Sequence, residues 1–166
     1  MVNAKDDTYK EWTEIGAKPF LSAIDFPANY ISKANGLPSR DGIFDFDDSG
    51  PLENIETLTK VELEVYLGAV DDPDTGFPVL TAWVWDGVSY TAFTVPVDNY
   101  AWAWKSVDIS SKINTWAKLD GCRVYLRVLC GAEASINADA MRLKATTVPP
   151  VVARHPIGNG LTWVSG

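Results

Sequence analysis

The sequence predicts an all-β domain, a two-sheet antiparallel β-sandwich with one short helix and an extended C-terminal arm. Three observations predict it. Apolar residues alternate with polar ones at a period of two through most of residues 19–148. An Asp-Gly pair stands between two β-rich runs, the strongest short-range hairpin signal. Clusters of Gly, Pro, Asn and Asp separate the candidate strands at regular intervals.

The alternation is clearest in VELEVYL, where Val61, Leu63, Val65 and Leu67 interleave with Glu62, Glu64 and Tyr66. CRVYLRVLC repeats it: Cys122, Val124, Leu126, Val128 and Cys130 share one face, and Arg123, Tyr125 and Arg127 the other. An apolar face backed by a charged one is the pattern of an antiparallel sheet with one side wet. In VLTAWVWDGVSYTAFTV, a two-residue turn at Asp86-Gly87 sets Trp85 opposite Val88 and Trp83 opposite Tyr90. Trp83, Trp85 and Tyr90 then share one face, and Leu80, Ala82, Val84, Thr91 and Phe93 the other. Both faces of this hairpin are apolar, so at least one meets another surface.

Further strands are expected at 20–25, 29–33, 42–47, 101–107 and 134–146, which brings the count to roughly eight and suits a sandwich or a barrel. A short helix fits at 110–118, capped by Ser110 or Ser111, with Ile113, Trp116 and Ala117 at helical spacing. The domain organisation is an N-terminal segment over 1–18, the β-domain over 19–148 and a Pro-rich arm over 149–166. Pro149, Pro150 and Pro156 exclude regular structure from that arm. Its apolar Val151, Val152, Ile157, Leu161 and Trp163 make it a poor solvated linker, so it reads as an assembly arm that docks on a surface.

Composition narrows the function classes. The 166 residues suit one domain, and the formal charge of −8 repels phosphate backbones, leaving neither nucleic acid nor an anionic membrane as a partner. The N-terminus lacks the apolar stretch of a signal peptide, and no apolar run is long enough to span a bilayer. Cys122 and Cys130, eight residues apart on one strand, would lie roughly 26 Å apart. That is too far for a disulfide, so both read as small buried hydrophobes. Seven Trp, six Tyr and six Phe are a high aromatic count that cores, sugar platforms and protein interfaces all use.

The run SVDISSKINTW followed by RVYLRVL resembles the corner-and-strand stretch of DNRLRE-type and carbohydrate-binding-module-like jelly rolls. GIFDFDDS, VELEVYL, VWDG and NADAMRLK are similar to other strands of those modules, and together the likeness covers about residues 20–146. It implies a jelly-roll topology for the sandwich, a fold found in sugar-binding, surface and structural proteins. It also implies a corner in which Asp108 bonds the amides of the turn while Trp116 plugs one end.

No catalytic set stands out. The one histidine, His155, lies in the irregular arm, and neither nucleophile-base spacing nor a phosphate loop is present, so no enzyme is expected. Asp45 and Asp47 lie two apart on one strand face beside Asp48. A solvated sheet edge accounts for them most simply; calcium comes second, with Asp139 as a further ligand, and paired-carboxylate hydrolysis last. Asp71, Asp72 and Asp74 read as a surface turn. No other cofactor is expected. The aromatic candidates for a ligand or an interface are Trp83, Trp85 and Tyr90 on the hairpin and Trp102 and Trp104 on the strand near 101–107. The expected function is a structural subunit of a virion or surface assembly, such as a capsid decoration protein, self-assembling or joining other structural subunits through terminal arms. The alternative is a carbohydrate-binding module that stacks its aromatics on a polysaccharide. The expected location is accordingly the virion or an extracellular surface.

Overall fold

The structure, a computed structural model, describes residues 2–8, 13–15, 30–34, 42–46, 56–71, 73–74, 76–98, 100–129 and 134–149. Of the first four strands it describes the backbone, and of their side chains only Phe46. The described residues are mostly β: β1 (Val2–Thr8), β2 (Thr13–Ile15), β3 (Tyr30–Ala34), β4 (Gly42–Phe46), β5 (Thr57–Val70), β6 (Val79–Trp85), β7 (Tyr90–Val95), β8 (Ala103–Asp108), β9 (Arg123–Leu129) and β10 (Ser135–Val148), with one helix among them, α1 (Trp116–Asp120).

The strands form two antiparallel sheets. In the first, the long β5 lies between β8 and β10, with Tyr66 opposite Trp104 on one side and Arg142 opposite Glu64 on the other. In the second, β6 lies between β7 and β9. The second sheet extends from β9 to β4, and the first from β10 to β3 and β2. β1 pairs with β10 through Val2 and Asn3 and with β4 from Ala4 onward, so it joins the two sheets along one side.

The period-two pattern sets the core. Val61, Leu63, Val65 and Leu67 of β5 are fully buried, as are Leu80, Ala82 and Val84 of β6 and Val124, Leu126 and Val128 of β9. All belong to one hydrophobic cluster with Ile136, Met141 and Leu143 of β10, so both sheets turn their apolar faces to one interior. Burying a Leu or Val side chain contributes about 1.5–3 kcal/mol, and these strands hold the cluster together without covalent staples among the described residues.

Several boundaries differ from those read in the sequence. β1 and β2 precede the first expected strand, and β10 runs on to Val148. The strand expected at 20–25 lies outside the described residues. The helix is shorter than expected, starting at Trp116, because Thr115 caps it: its side chain accepts from the Lys118 amide. Ser110 is engaged elsewhere, its amide donating to Asp108 at 2.9 Å and its hydroxyl accepting from the Val61 amide at 2.9 Å. Ile109 and Ile113 close a separate turn and are fully buried. The expected bond from the turn to Asp108 is therefore present. Trp116 is half-buried against the core, and its indole Nε1 donates to the Glu56 carbonyl at 2.8 Å.

The hairpin register is also corrected. Trp85 pairs with Tyr90 and Trp83 with Ala92, so the loop holds four residues, Asp86–Ser89, in place of two. The cause is the Asp86 carboxylate, which accepts from the amides of Val88 and Ser89, each at 3.0 Å, with Gly87 at a φ of +94°. Sliding the pairing by two residues preserves the face of every side chain. Trp83, Trp85 and Tyr90 accordingly still share a face.

Candidate functional site

The aromatic residues singled out in the sequence divide between the outward faces of the two sheets. On the first sheet, alternation sends Glu62, Glu64 and Tyr66 of β5 away from the core, and the same parity leaves Trp104 of β8 half-buried and Ser106 exposed. The Tyr66 ring lies 5.7 Å from Trp102 and 5.6 Å from Trp104, tilted against both. Gly68 makes room for Trp102: a Cβ at that position would stand 2.9 Å from the indole ring. The guanidinium of Arg142, reaching from β10, covers Trp104 at 3.9 Å from the ring centre and donates its Nε to Glu64 at 2.6 Å. Charged pairs continue along the strands, with Lys60 on Glu62 at 2.8 Å and Lys144 within 3.6 Å of both Glu62 and Glu64. The Lys60 hydrogen bond is the main reason the Glu62 carboxyl sits below its ordinary value.

On the second sheet the rings stand across β6, β7 and β9. Trp83 stacks on Tyr125, its cross-strand partner, with centres 5.6 Å apart and planes at 11°. Tyr90 meets Tyr125 edge-on at 5.1 Å and Trp85 at 4.9 Å. Arg127 approaches the Trp83 ring at 6.0 Å, the outer limit of a cation–π contact. Two donors, Trp83 Nε1 and Arg127 Nε, are buried here with no hydrogen-bond acceptor among the described residues.

Both groups offer the same chemistry: ring surface, a guanidinium on or near a ring, and in the first sheet carboxylates beside it. These are the side chains that make stacking contacts with another surface. Their geometry also shows which residues the sequence reading passed over. Tyr66, Arg142 and Glu64 complete the first group, and Tyr125 and Arg127 the second. Alternation puts Glu64, Tyr66, Tyr125 and Arg127 on the polar faces of their strands, and that parity is the available signal for those four. Strand pairing was the missing part, because it alone says which polar-face residue stands beside which Trp.

The other candidates fare differently. Asp45 lies in β4, in register with Arg123, whereas Asp139 lies fully buried in β10, at an irregularity where Ala138 pairs with Leu67 and Ala140 with Tyr66. Those strands belong to different sheets. Asp47, Asp48, His155 and the arm residues Val151, Val152, Ile157, Leu161 and Trp163 lie outside the described residues, as does Cys130, while Cys122 is buried as expected. Asp71 accepts from the Tyr100 hydroxyl at 2.5 Å, and that bond raises the Tyr100 value. Among the described residues no three His, Cys, Asp or Glu side chains gather as metal ligands, and no helix is long and apolar enough to cross a membrane. No family model matches the chain, and no curated protein does so either.

Proposed function

We propose that this chain is a non-catalytic structural module, a jelly-roll subunit of a virion or surface assembly that meets its neighbours through aromatic faces and terminal segments. The sandwich reading draws support from two antiparallel sheets that share one core and are joined by β1 along one side. The functional reading is carried by a single observation: each sheet bears a Trp/Tyr/Arg group on its outward face. Such residues stabilise a sheet through their own cross-strand contacts, and they are also the types in which interface centres are enriched. Faces on both sides suit a subunit with neighbours on both sides.

Sedimentation velocity over a concentration series tests this. The parent protein is expected to sediment as an oligomer, and Trp85→Ala with Tyr90→Ala, or deletion of 149–166, to shift it toward monomer. A parent that stays monomeric throughout would remove the self-assembly reading.

One observation favours a second reading, a carbohydrate-binding module. Tyr66, Trp102 and Trp104 form a group of rings with Glu64 and Arg142 beside it, and sugar recognition combines ring stacking with hydrogen bonding to hydroxyls. Retention on polysaccharide affinity gels tests it. Trp102→Ala and Trp104→Ala should abolish retention, and a parent retained on none of the gels ends this reading.

A further inference from the structure

We infer that the free edge of β7 pairs with β7 of a second copy, antiparallel, about a two-fold axis passing through Ala92. The inference rests on the assembly reading above and names the contact that reading leaves open.

The edge itself is unusual. β7 pairs with β6 on one side, and among the described residues no strand pairs with its other side. Tyr90, Thr91, Ala92 and Thr94 are exposed. An open strand edge is a row of unpaired amides and carbonyls, and soluble proteins guard such edges with charge, proline or a bulge. β7 has none of these. Its sequence Tyr-Thr-Ala-Phe-Thr-Val is uncharged, and all six residues pair with β6 without a register shift. The edge strand of the other sheet shows the contrast: β8 ends on the exposed carboxylate of Asp108. Among the described residues, β7 thus lacks the charge that β8 carries.

The chemistry of β7 selects a second copy of the same chain. With a net charge of −8, two copies repel one another wherever acidic surface meets acidic surface, so self-association needs a contact free of that charge. β7 provides one, and the carboxylates that flank it in the chain are both paired, Asp98 with Lys105 at 2.5 Å and Asp86 with Lys112 at 3.2 Å and Lys118 at 3.6 Å. The strand is also self-complementary. With Ala92 on the axis, Tyr90 falls opposite Thr94 of the copy on the outward face, and Thr91 falls opposite Phe93 on the inward face. Each aromatic meets a β-branched residue, a favourable cross-strand pair, and the smallest residue sits where two identical side chains must meet. The aromatic row of Trp83, Tyr125, Trp85 and Tyr90 ends at this edge, so pairing would bring the two rows side by side.

A charge swap at the axis tests the register directly. Ala92→Lys and Ala92→Glu each place like charges opposite one another across the axis, and each is expected to weaken dimerisation about tenfold or more. An equimolar mixture of the two variants should recover the dimer, because a Lys then faces a Glu. Ala92 is exposed, so both variants should keep the parent's circular dichroism. If association is unchanged in both variants yet lost on deleting 149–166, the edge inference fails while the assembly reading stands. If both variants dissociate and the mixture does not recover, the two-fold register is wrong. A parent that is monomeric at every concentration overturns both readings together.

Discussion

The guanidinium of Arg142 lies 3.9 Å from the centre of the Trp104 ring while its Nε is bonded to Glu64 at 2.6 Å, so one side chain links the rings of the first sheet to its charged ladder. Glu64 is 7% exposed, which makes its carboxylate costly to leave unpaired. Lys144 also reaches it, at 3.6 Å, and tempers that cost.

From this arrangement Arg142→Ala should cost about 2 kcal/mol of stability, combining a lost charged hydrogen bond with a lost cation–π contact. Arg142→Lys should recover only part, since an ammonium lacks the planar fork that covers a ring and bonds a carboxylate at once. Urea unfolding of both variants measures it. Equal stability of Arg142→Ala and the parent would show that the contact contributes nothing.

Gly68 gives a second prediction on the same face. An added Cβ would stand 2.9 Å from the Trp102 ring, so Gly68→Ala must displace the indole. Overpacking of this kind costs about 1–3 kcal/mol, more than the roughly 0.4–1 kcal/mol that replacing a strand glycine returns through the unfolded state. The variant should be destabilised, with altered tryptophan fluorescence. In a Trp102→Ala background the obstacle is gone, and the same substitution should become neutral or stabilising. A destabilisation that persists in that background would mean that the indole is not what Gly68 accommodates.

Trp116 anchors the corner that leads into β9. Its indole donates to the Glu56 carbonyl at 2.8 Å while the ring packs against the core. Trp116→Phe keeps most of the apolar contact and removes the donor, so it should cost about 1 kcal/mol plus the volume lost. Chemical denaturation of the variant checks this, and no change in its urea midpoint would show that the bond is immaterial to folding.

How much of this was legible in the sequence depends on what kind of information each feature needs. Parity within a strand is local, so the buried set Val61, Leu63, Val65 and Leu67 and its counterpart Val124, Leu126 and Val128 could be read from alternation alone. Even the mistaken hairpin register preserved the shared face of Trp83, Trp85 and Tyr90, because the error was two residues and the period is two. Neighbours across strands are not local. Nothing in VELEVYL says that Tyr66 will lie opposite Trp104, or that a residue 78 positions on from Glu64 will bond it. The divided aromatic set has the same origin: Trp104 belongs to a different sheet from Trp83 and Trp85, with Trp102 just before its strand, an assignment made by long-range pairing. The four-residue turn was missed because Asp-Gly satisfies a tighter turn, while the amides that Asp86 accepts are those of the two residues after Gly87.

That turn also carries the pH dependence. Asp86 accepts from the amides of Ser89 and Val88 and faces Lys112, and these contacts, the Ser89 amide first, hold its carboxyl well below the ordinary aspartate value. The folded state therefore binds fewer protons at this site than the unfolded chain whenever the pH lies between the two values. The sign follows: the contribution is fully present above the unfolded value of about 4 and is lost as pH falls from there through the depressed folded value. Asp98, held down by Lys105, and Asp108, held down by Ser110, act in the same acid window, so the parent's acid sensitivity alone assigns nothing to Asp86. The difference between the parent and Asp86→Asn does assign it. The amide keeps an oxygen for the two backbone donors but loses the charge that pairs with Lys112 and Lys118. At neutral pH the variant should melt below the parent, and the gap should shrink as the solution is acidified below about pH 4, because the unfolded parent then takes up a proton that the folded carboxyl does not. Thermal melts at a series of pH values read this directly. A gap that stays constant down to the most acidic point would mean that the charge of Asp86 contributes nothing, and that the hairpin owes its register to the two amide bonds alone.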